Sequence, residues 1–265
     1  MSKDIAVIIP INDVSGDFKE YFDRAVKSID NQERKVDSVV IVHTNDSDVV
    51  GFLSDYEFPT NLKITKIKND GKSDFCSQVN LGVENCDTTW FSILEFDDEY
   101  SRNWFKNFDR YQESYTDIDI FLPLVVEVNT ENSFLGFTNE SLWAMKFSEK
   151  LGYLDNNTLL NYQNYQTSGA IYRKEKFEEI GMFKPSIKLA FSYEFLLRAT
   201  YNDLQIMTIP KIGYKHTNMR EWSLFWNYKN HPTQKLSLDE APFWVETAKK
   251  EYFFTFDREI SYENN

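Results

Sequence analysis

Trp90-Phe91-Ser92-Ile93-Leu94-Glu95-Phe96-Asp97-Asp98 is a short apolar strand that runs straight into three carboxylates, with no lysine or arginine inside the run. Crowding negative charge at a strand end is costly unless a cation sits there, which makes this stretch the first candidate for a divalent metal. Side chains alternate along a strand, so Glu95 and Asp97 are expected to point the same way while Phe96 turns back into the core. Hard carboxylate oxygens suit Mn²⁺ or Mg²⁺, and ions of that class keep room for phosphate oxygens. An acidic turn after a buried strand would read the same way, and the stretch alone does not choose between the two.

The segments upstream give it a setting. Ile5-Ala6-Val7-Ile8-Ile9, closed by Pro10, is a continuous apolar run, the pattern of a strand buried on both faces. Phe18, Phe22, Ala25, Val26 and Ile29 then follow the helical period, with Asp17 or Ser15 available as a cap and Asn31 near the end. Residues 39–42 read as a second buried strand before the polar turn His43-Thr44-Asn45-Asp46-Ser47. Residues 62–67 read as a third strand, 75–83 as a helix and 90–94 as the fourth strand. Strands alternating with helices predict an α/β fold, a Rossmann-like and mostly parallel central sheet flanked by helices. In such sheets ligands gather beyond the carboxyl ends of the strands, where the turns after strands one, two and four fall.

Composition narrows the class. The chain has 265 residues and no Pro/Gly/Ser-rich linker, which favours a single catalytic-sized unit. A formal charge of −13 argues against nucleic acid as a partner, because backbone binding needs clustered Lys and Arg. Cys76 and Cys86 are the only cysteines, too few for a disulfide framework or a zinc site, and a reducing, cytoplasmic location is expected. No apolar stretch reaches the length of a transmembrane segment.

Read in order, the phrases resemble family 2 glycosyltransferases of the GT-A fold. Ile8-Ile9-Pro10 followed by Asn12 and Asp13 resembles that family's opening strand and nucleotide-binding turn. The helix 22–29 with Gln32 resembles its Ser-Ile-x-x-Gln phrase, and Asn80-Leu81-Gly82 its Asn-x-Gly. Leu94-Glu95-Phe96-Asp97-Asp98 falls on the D-x-D metal motif, with Glu in place of the first Asp. Ser168-Gly169-Ala170-Ile171-Tyr172-Arg173 and Ile180-Gly181-Met182-Phe183 resemble the acceptor-side strand and the turn after it. Each phrase is weak alone; their shared order and spacing carry the resemblance.

That resemblance implies a metal-dependent, inverting transfer of sugar from a nucleotide-diphosphate donor, a UDP-sugar by family default, to the hydroxyl of a glycan, a protein or another acceptor. Asp97 is then a direct ligand of Mn²⁺ or Mg²⁺, and Glu95 reaches the metal through water or holds the donor ribose. His216, closing the late strand 209–216, completes the metal shell, while Lys215 meets phosphate. Pro10, Asn12, Asp13 and Asn80 belong to the nucleotide site, and Asn45 or Asp46 stands in for the acidic residues that usually hold the nucleoside. Asp98 reads equally as a ligand or as a cap for a helix beginning near Ser101.

The family's general base, an Asp, falls on Ser192 when Leu196-Leu197-Arg198 is aligned without a gap. Glu194 is the carboxylate expected to replace it, the other reading being a pair with Arg198 one turn later. Loss of that base also raises the alternative of a catalytically impaired GT-A domain that binds a nucleotide sugar or glycan.

The resemblance places a glycosyltransferase domain over residues 1–220, with a nucleotide-sugar half at 1–100 and an acceptor half at 101–220. Residues 221–265 form an aromatic, helical C-terminal extension expected to pack on it, with a homodimer surface as the second reading of its apolar face.

Overall fold

This computed structural model describes residues 4–12, 14, 16–139, 153–163, 165–218, 220, 221, 223 and 240–258. β1 (Ile5–Ile11) is buried along its whole length, and parallel neighbours β2 (Ser38–Thr44) and β4 (Trp90–Ile93) flank it. β3 (Ile64–Asn69) extends the sheet parallel to β2.

Burial on two faces follows from period-two alternation in β1. Ile5, Val7 and Ile9 pack with α1 (Phe18–Asp30), α2 (Ser47–Asp55) and α4 (Trp104–Ser114). Ala6 and Ile8 face the other layer, which holds α3 (Phe75–Glu84). Gly82 lets α3 lie close, since a Cβ there would come within 2.6 Å of Ile8 Cγ2. Among the described residues, Asp46 and Asp74 cap α2 and α3 with their side chains, whereas Asp17 occupies the N-cap of α1 without such a bond. Ser15 lies outside the described residues.

The second half of the sheet departs from strict parallel pairing. Its strands are β5 (Glu99–Tyr100), β6 (Ile120–Val128), β7 (Phe134–Thr138), β8 (Tyr153–Leu154), β9 (Ile171–Arg173) and β10 (Ile206–Thr217). The order is β3-β2-β1-β4-β9-β6-β10-β5, with β7 on β6 and β8 on β10. Short β9 runs antiparallel to both β4 and β6, while β6 and β10 are parallel with shifts in register between Thr208 and Tyr214. The small helices α5 (Asn156–Asn161) and α6 (Lys174–Glu179) precede α7 (Phe191–Tyr201).

At the end of the chain, α8 (Glu240–Glu251) buries Trp244 and Ala248 in the layer that contains α7. The aromatic residues Trp222, Phe225, Trp226 and Tyr228 lie outside the described residues. Cys76 and Cys86 are buried free thiols. Among the described residues no helix is long and apolar enough to cross a membrane.

Candidate active site

β4 stops at Ile93, so strand alternation does not govern the acids beyond it. Glu95 to Asp98 forms a turn closed by the Asp98 N–H donating to the Glu95 carbonyl at 3.1 Å. The two ends of that turn converge, and β10 brings His216 to them. Ligand atoms of Glu95, Asp98 and His216 all lie within 4.8 Å of one another.

Asp98 is fully buried; its Oδ2 meets His216 Nδ1 at 2.9 Å and its Oδ1 accepts from the Thr217 N–H at 2.7 Å. It caps no helix, because α4 begins at Trp104 with Asn103 as N-cap.

Two neighbours fix the turn. Glu95 N–H donates to the Tyr214 hydroxyl at 3.1 Å, and Ser168 Oγ donates to Glu95 Oε1 at 3.1 Å. Tyr214 fits only because residue 169 is glycine at φ +70°, where a Cβ would overlap the tyrosine ring.

Asp97 behaves differently from the expectation. Its Oδ2 accepts from Arg220 Nε at 2.6 Å, and its carbonyl accepts from Thr217 Oγ1 at 2.7 Å. The expected direct ligand is therefore turned toward a guanidinium, and Asp98 takes its place beside Glu95 and His216. Arg220, which also lies over the Phe96 ring at 4.8 Å, was not singled out from sequence. Its only signal is a cation four residues past His216.

Charge is unbalanced here. Burial and then the Asp98 carboxylate push the Glu95 pKa up to about 7, with His216 opposing. Burial and Asp98 also raise Asp97, against the pull of Arg220. Burial disfavours the charged His216 ring, but Asp98, Glu95 and Asp97 overcome it and push its pKa up to about 10. A proton on His216 supplies positive charge that a cation would otherwise supply. Oxygen donors plus one imidazole fit Mn²⁺ or Mg²⁺.

The remaining expected residues divide between site and scaffold. Pro10 is buried in β1, paired with Val42. Asn12, just beyond, keeps a buried Oδ1 with no partner, as does the fully buried Gln78 Oε1, whose amide nitrogen donates to the Ile11 carbonyl at 3.2 Å. Asp13 lies outside the described residues. Asn45 and Asp46 are exposed, and Asp46 is spent as the α2 cap, accepting from Asp48 N–H at 2.9 Å.

Three expectations need correcting. Asn80 does not face a nucleotide: its amide donates to the Phe183 carbonyl at 2.8 Å and accepts from the Phe183 N–H at 3.1 Å, a latch between α3 and the turn after α6. Lys215 points away from His216, as adjacent strand residues must, and pairs with Glu99. Glu194 is fully buried, with Arg198 Nε at 2.9 Å, Arg198 Nη2 at 3.0 Å and Lys184 Nζ at 2.8 Å. Sealed between two cations, it cannot meet an acceptor hydroxyl. Ser192 instead lines a cavity of about 70 Å³ together with Glu95, Gln166, Ser168 and Phe191. A larger open cleft, about 860 Å³, runs along α1 beside β5, where Glu33, Lys35 and Glu99 are already paired with opposite charges.

The fold is shared with nucleotide-sugar enzymes of known structure. S. aureus TarS 1–349 in complex with UDP superposes with a TM-score of 0.64 at 16% identity, covering 91% of this chain and 78% of that one. The longer TarS chain matches at 0.56 and 17% identity over 96% of this chain, which spans 44% of its length. GalNAc-T7 with UDP, GalNAc and Mn²⁺ matches at 0.62 and 13% identity, covering 83% of this chain and 44% of that one. A search of curated sequences gives no significant match. These similarities establish a GT-A fold, the architecture of nucleotide-sugar transferases. The model of glycosyl transferase family 2 matches residues 6–181, and the chain belongs to that family. It is a glycosyltransferase.

Proposed function

We propose that residues 1–220 transfer a sugar from a UDP-sugar to an acceptor hydroxyl with inversion, using Mn²⁺ or Mg²⁺ held by Glu95, Asp98 and His216, with residues 221–265 packed on that domain as an extension. The observation that carries this reading is the convergence of those three side chains within 4.8 Å at the carboxyl end of β4. UDP is the nucleotide in the TarS and GalNAc-T7 structures, and Mn²⁺ accompanies it in the latter.

Glu95, Asp98 and His216 would hold a divalent cation there, and it would supply positive charge to the departing diphosphate. The chain's own residues do the rest. Tyr214 and Ser168 hold Glu95, Thr217 and His216 hold Asp98, and Arg220 keeps Asp97 out of the trio. Asn12 Oδ1 and Gln78 Oε1, buried acceptors without donors at the end of β1, suit the imide N–H of uracil or a ribose hydroxyl. Two buried free thiols accord with a cytoplasmic location.

A second reading rests on Ser192, which lines the cavity where the family places a base: a domain that binds the donor without transferring. Calorimetry with UDP and GDP, with Mn²⁺ or EDTA, and UDP release from a panel of UDP-sugars separate the readings. Mn²⁺-dependent UDP binding with turnover supports transfer, binding without turnover for any donor supports the second reading, and no UDP binding defeats both.

A further inference from the structure

Transfer needs a group that takes the proton from the acceptor's hydroxyl, and the described carboxylates near the cavity leave few choices. Glu95 and Asp98 belong to the cation trio, Asp97 is held by Arg220, and Glu194 is sealed. Glu127 remains. It stands at the carboxyl end of β6, in register with His216 on β10, so the two side chains lie on the same face of the sheet. Its Oε1 accepts from Gln166 Nε2 at 2.7 Å and its Oε2 from Asn218 Nδ2 at 3.4 Å. Both donors are neutral amides, so each oxygen keeps a lone pair for a further donor.

Gln166 links this carboxylate to the cavity it lines with Glu95 and Ser192. Because a carboxylate only accepts, the amide nitrogen must face Glu127, and that leaves Gln166 Oε1 buried without a donor. The main chain of Gln166 is clamped by Asn139, almost wholly buried and at φ +65°, which accepts from the Gln166 N–H at 2.9 Å and donates to its carbonyl at 3.0 Å. With its main chain held, Gln166 presents its own Oε1 next to the amide nitrogen that it gives to Glu127.

We infer that Glu127 and Gln166 form the acceptor clamp, with Glu127 as the base for the attacking hydroxyl and Gln166 Oε1 receiving the hydroxyl on the adjacent carbon. The acceptor is thereby a vicinal diol, a polyol or a glycan, rather than the isolated hydroxyl of serine or threonine. This rests on the transfer reading above. As the attacking oxygen bonds to the anomeric carbon, its proton passes to Glu127, and the bond from that carbon to the diphosphate breaks with its electron pair leaving on the diphosphate.

The test uses the full chain with UDP-N-acetylglucosamine and Mn²⁺, with 1,2-propanediol and 1,3-propanediol as isomeric probes and a threonine peptide as the third acceptor. Transfer to the 1,2-isomer should exceed that to the others by about tenfold, and Glu127→Gln should lower it by about 100-fold or more with UDP affinity kept within about twofold. Gln166→Leu should erase the preference between isomers while retaining part of the rate, and it serves as the deciding variant if Glu127→Gln does not fold. Transfer by Glu127→Gln within about threefold of the unmodified rate, or equal rates with both isomers, overturns the clamp and leaves the donor reading standing. Absence of UDP binding and of UDP release in the unmodified chain overturns both.

Discussion

Two sets of buried acids in this molecule have opposite surroundings. Glu194 on α7 meets two cations, Lys184 and Arg198, and those cations in turn reach backbone carbonyls: Lys184 the Glu251 carbonyl at 2.8 Å, Arg198 the Met182 carbonyl at 2.6 Å. Glu95, Asp97 and Asp98 share one guanidinium and one imidazole. The first set is neutralised and ties α7 to α8, which is structural work. The second set is short of positive charge, a deficit that raises Glu95 and His216 together and that a divalent ion would relieve. Burial alone does not mark a functional carboxylate; burial without enough cations does.

That contrast breaks most readily at Glu194. Glu194→Gln leaves Lys184 and Arg198 buried without their counter-charge and should cost about 3–5 kcal/mol in chemical denaturation, with UDP affinity nearly unchanged in the cold. A large loss of activity at full stability would show that the triad is part of the chemistry.

Asp98→Ala should do the reverse. Removing the group that holds His216 and the Thr217 N–H is expected to lower turnover of a UDP-sugar by more than about 100-fold and to abolish stabilisation by Mn²⁺, measured by UDP release and thermal melting. If Asp97→Ala is the more damaging of the two, Arg220 releases Asp97 when the donor binds and the expected ligand is restored.

Asn80→Ala sharpens the scaffold side. Two hydrogen bonds to Phe183 are lost, for about 1–2 kcal/mol of stability, and UDP affinity by calorimetry should be unmoved.

The smallest effect is in pH. Folded, Glu95 keeps its proton to about pH 7 against an ordinary 4.5, and His216 to about 10 against 6.5. Both make the folded chain bind more protons than the unfolded one. Their contribution is complete below pH 4.5 and 6.5 respectively, and is lost as pH rises through 7 and then 10. Metal-free melting temperature should therefore fall by a few degrees from acid to alkaline pH, and Mn²⁺ should recover most at the alkaline end. A flat profile would mean that the trio carries no proton surplus.

Much of this was legible beforehand for plain reasons. Ile5 to Ile9 and residues 39–42 are apolar without a break because both faces of the strands are covered, and Phe18, Phe22 and Ile29 repeat at the helical period because one face of α1 is. The second half was harder to read. β9 has three residues and β8 two, too short to show a period, and their antiparallel placement depends on which longer strand they meet. The acidic turn is visible as a place for a cation, but strand alternation does not reach Glu95 and Asp97: β4 ends at Ile93, and a turn joins positions three apart rather than two. The Glu194–Arg198 pair is legible as an i,i+4 spacing, whereas Lys184 on Glu194 and Phe183 on Asn80 come from the turn after α6, which local pattern does not place there.

By itself, then, the order of residues determined the parallel first half of the sheet, the acid-ended fourth strand and the family, since apolar period and local phrases are properties of neighbours along the chain. Tertiary structure alone decided which carboxylate joins His216, which one Arg220 removes, and that Glu127 comes to stand beside them. Those choices turn on contacts that β10 and the residues after it make with β6 and with the turn after β4, segments about 90 to 120 positions apart, and local sequence carries no record of them.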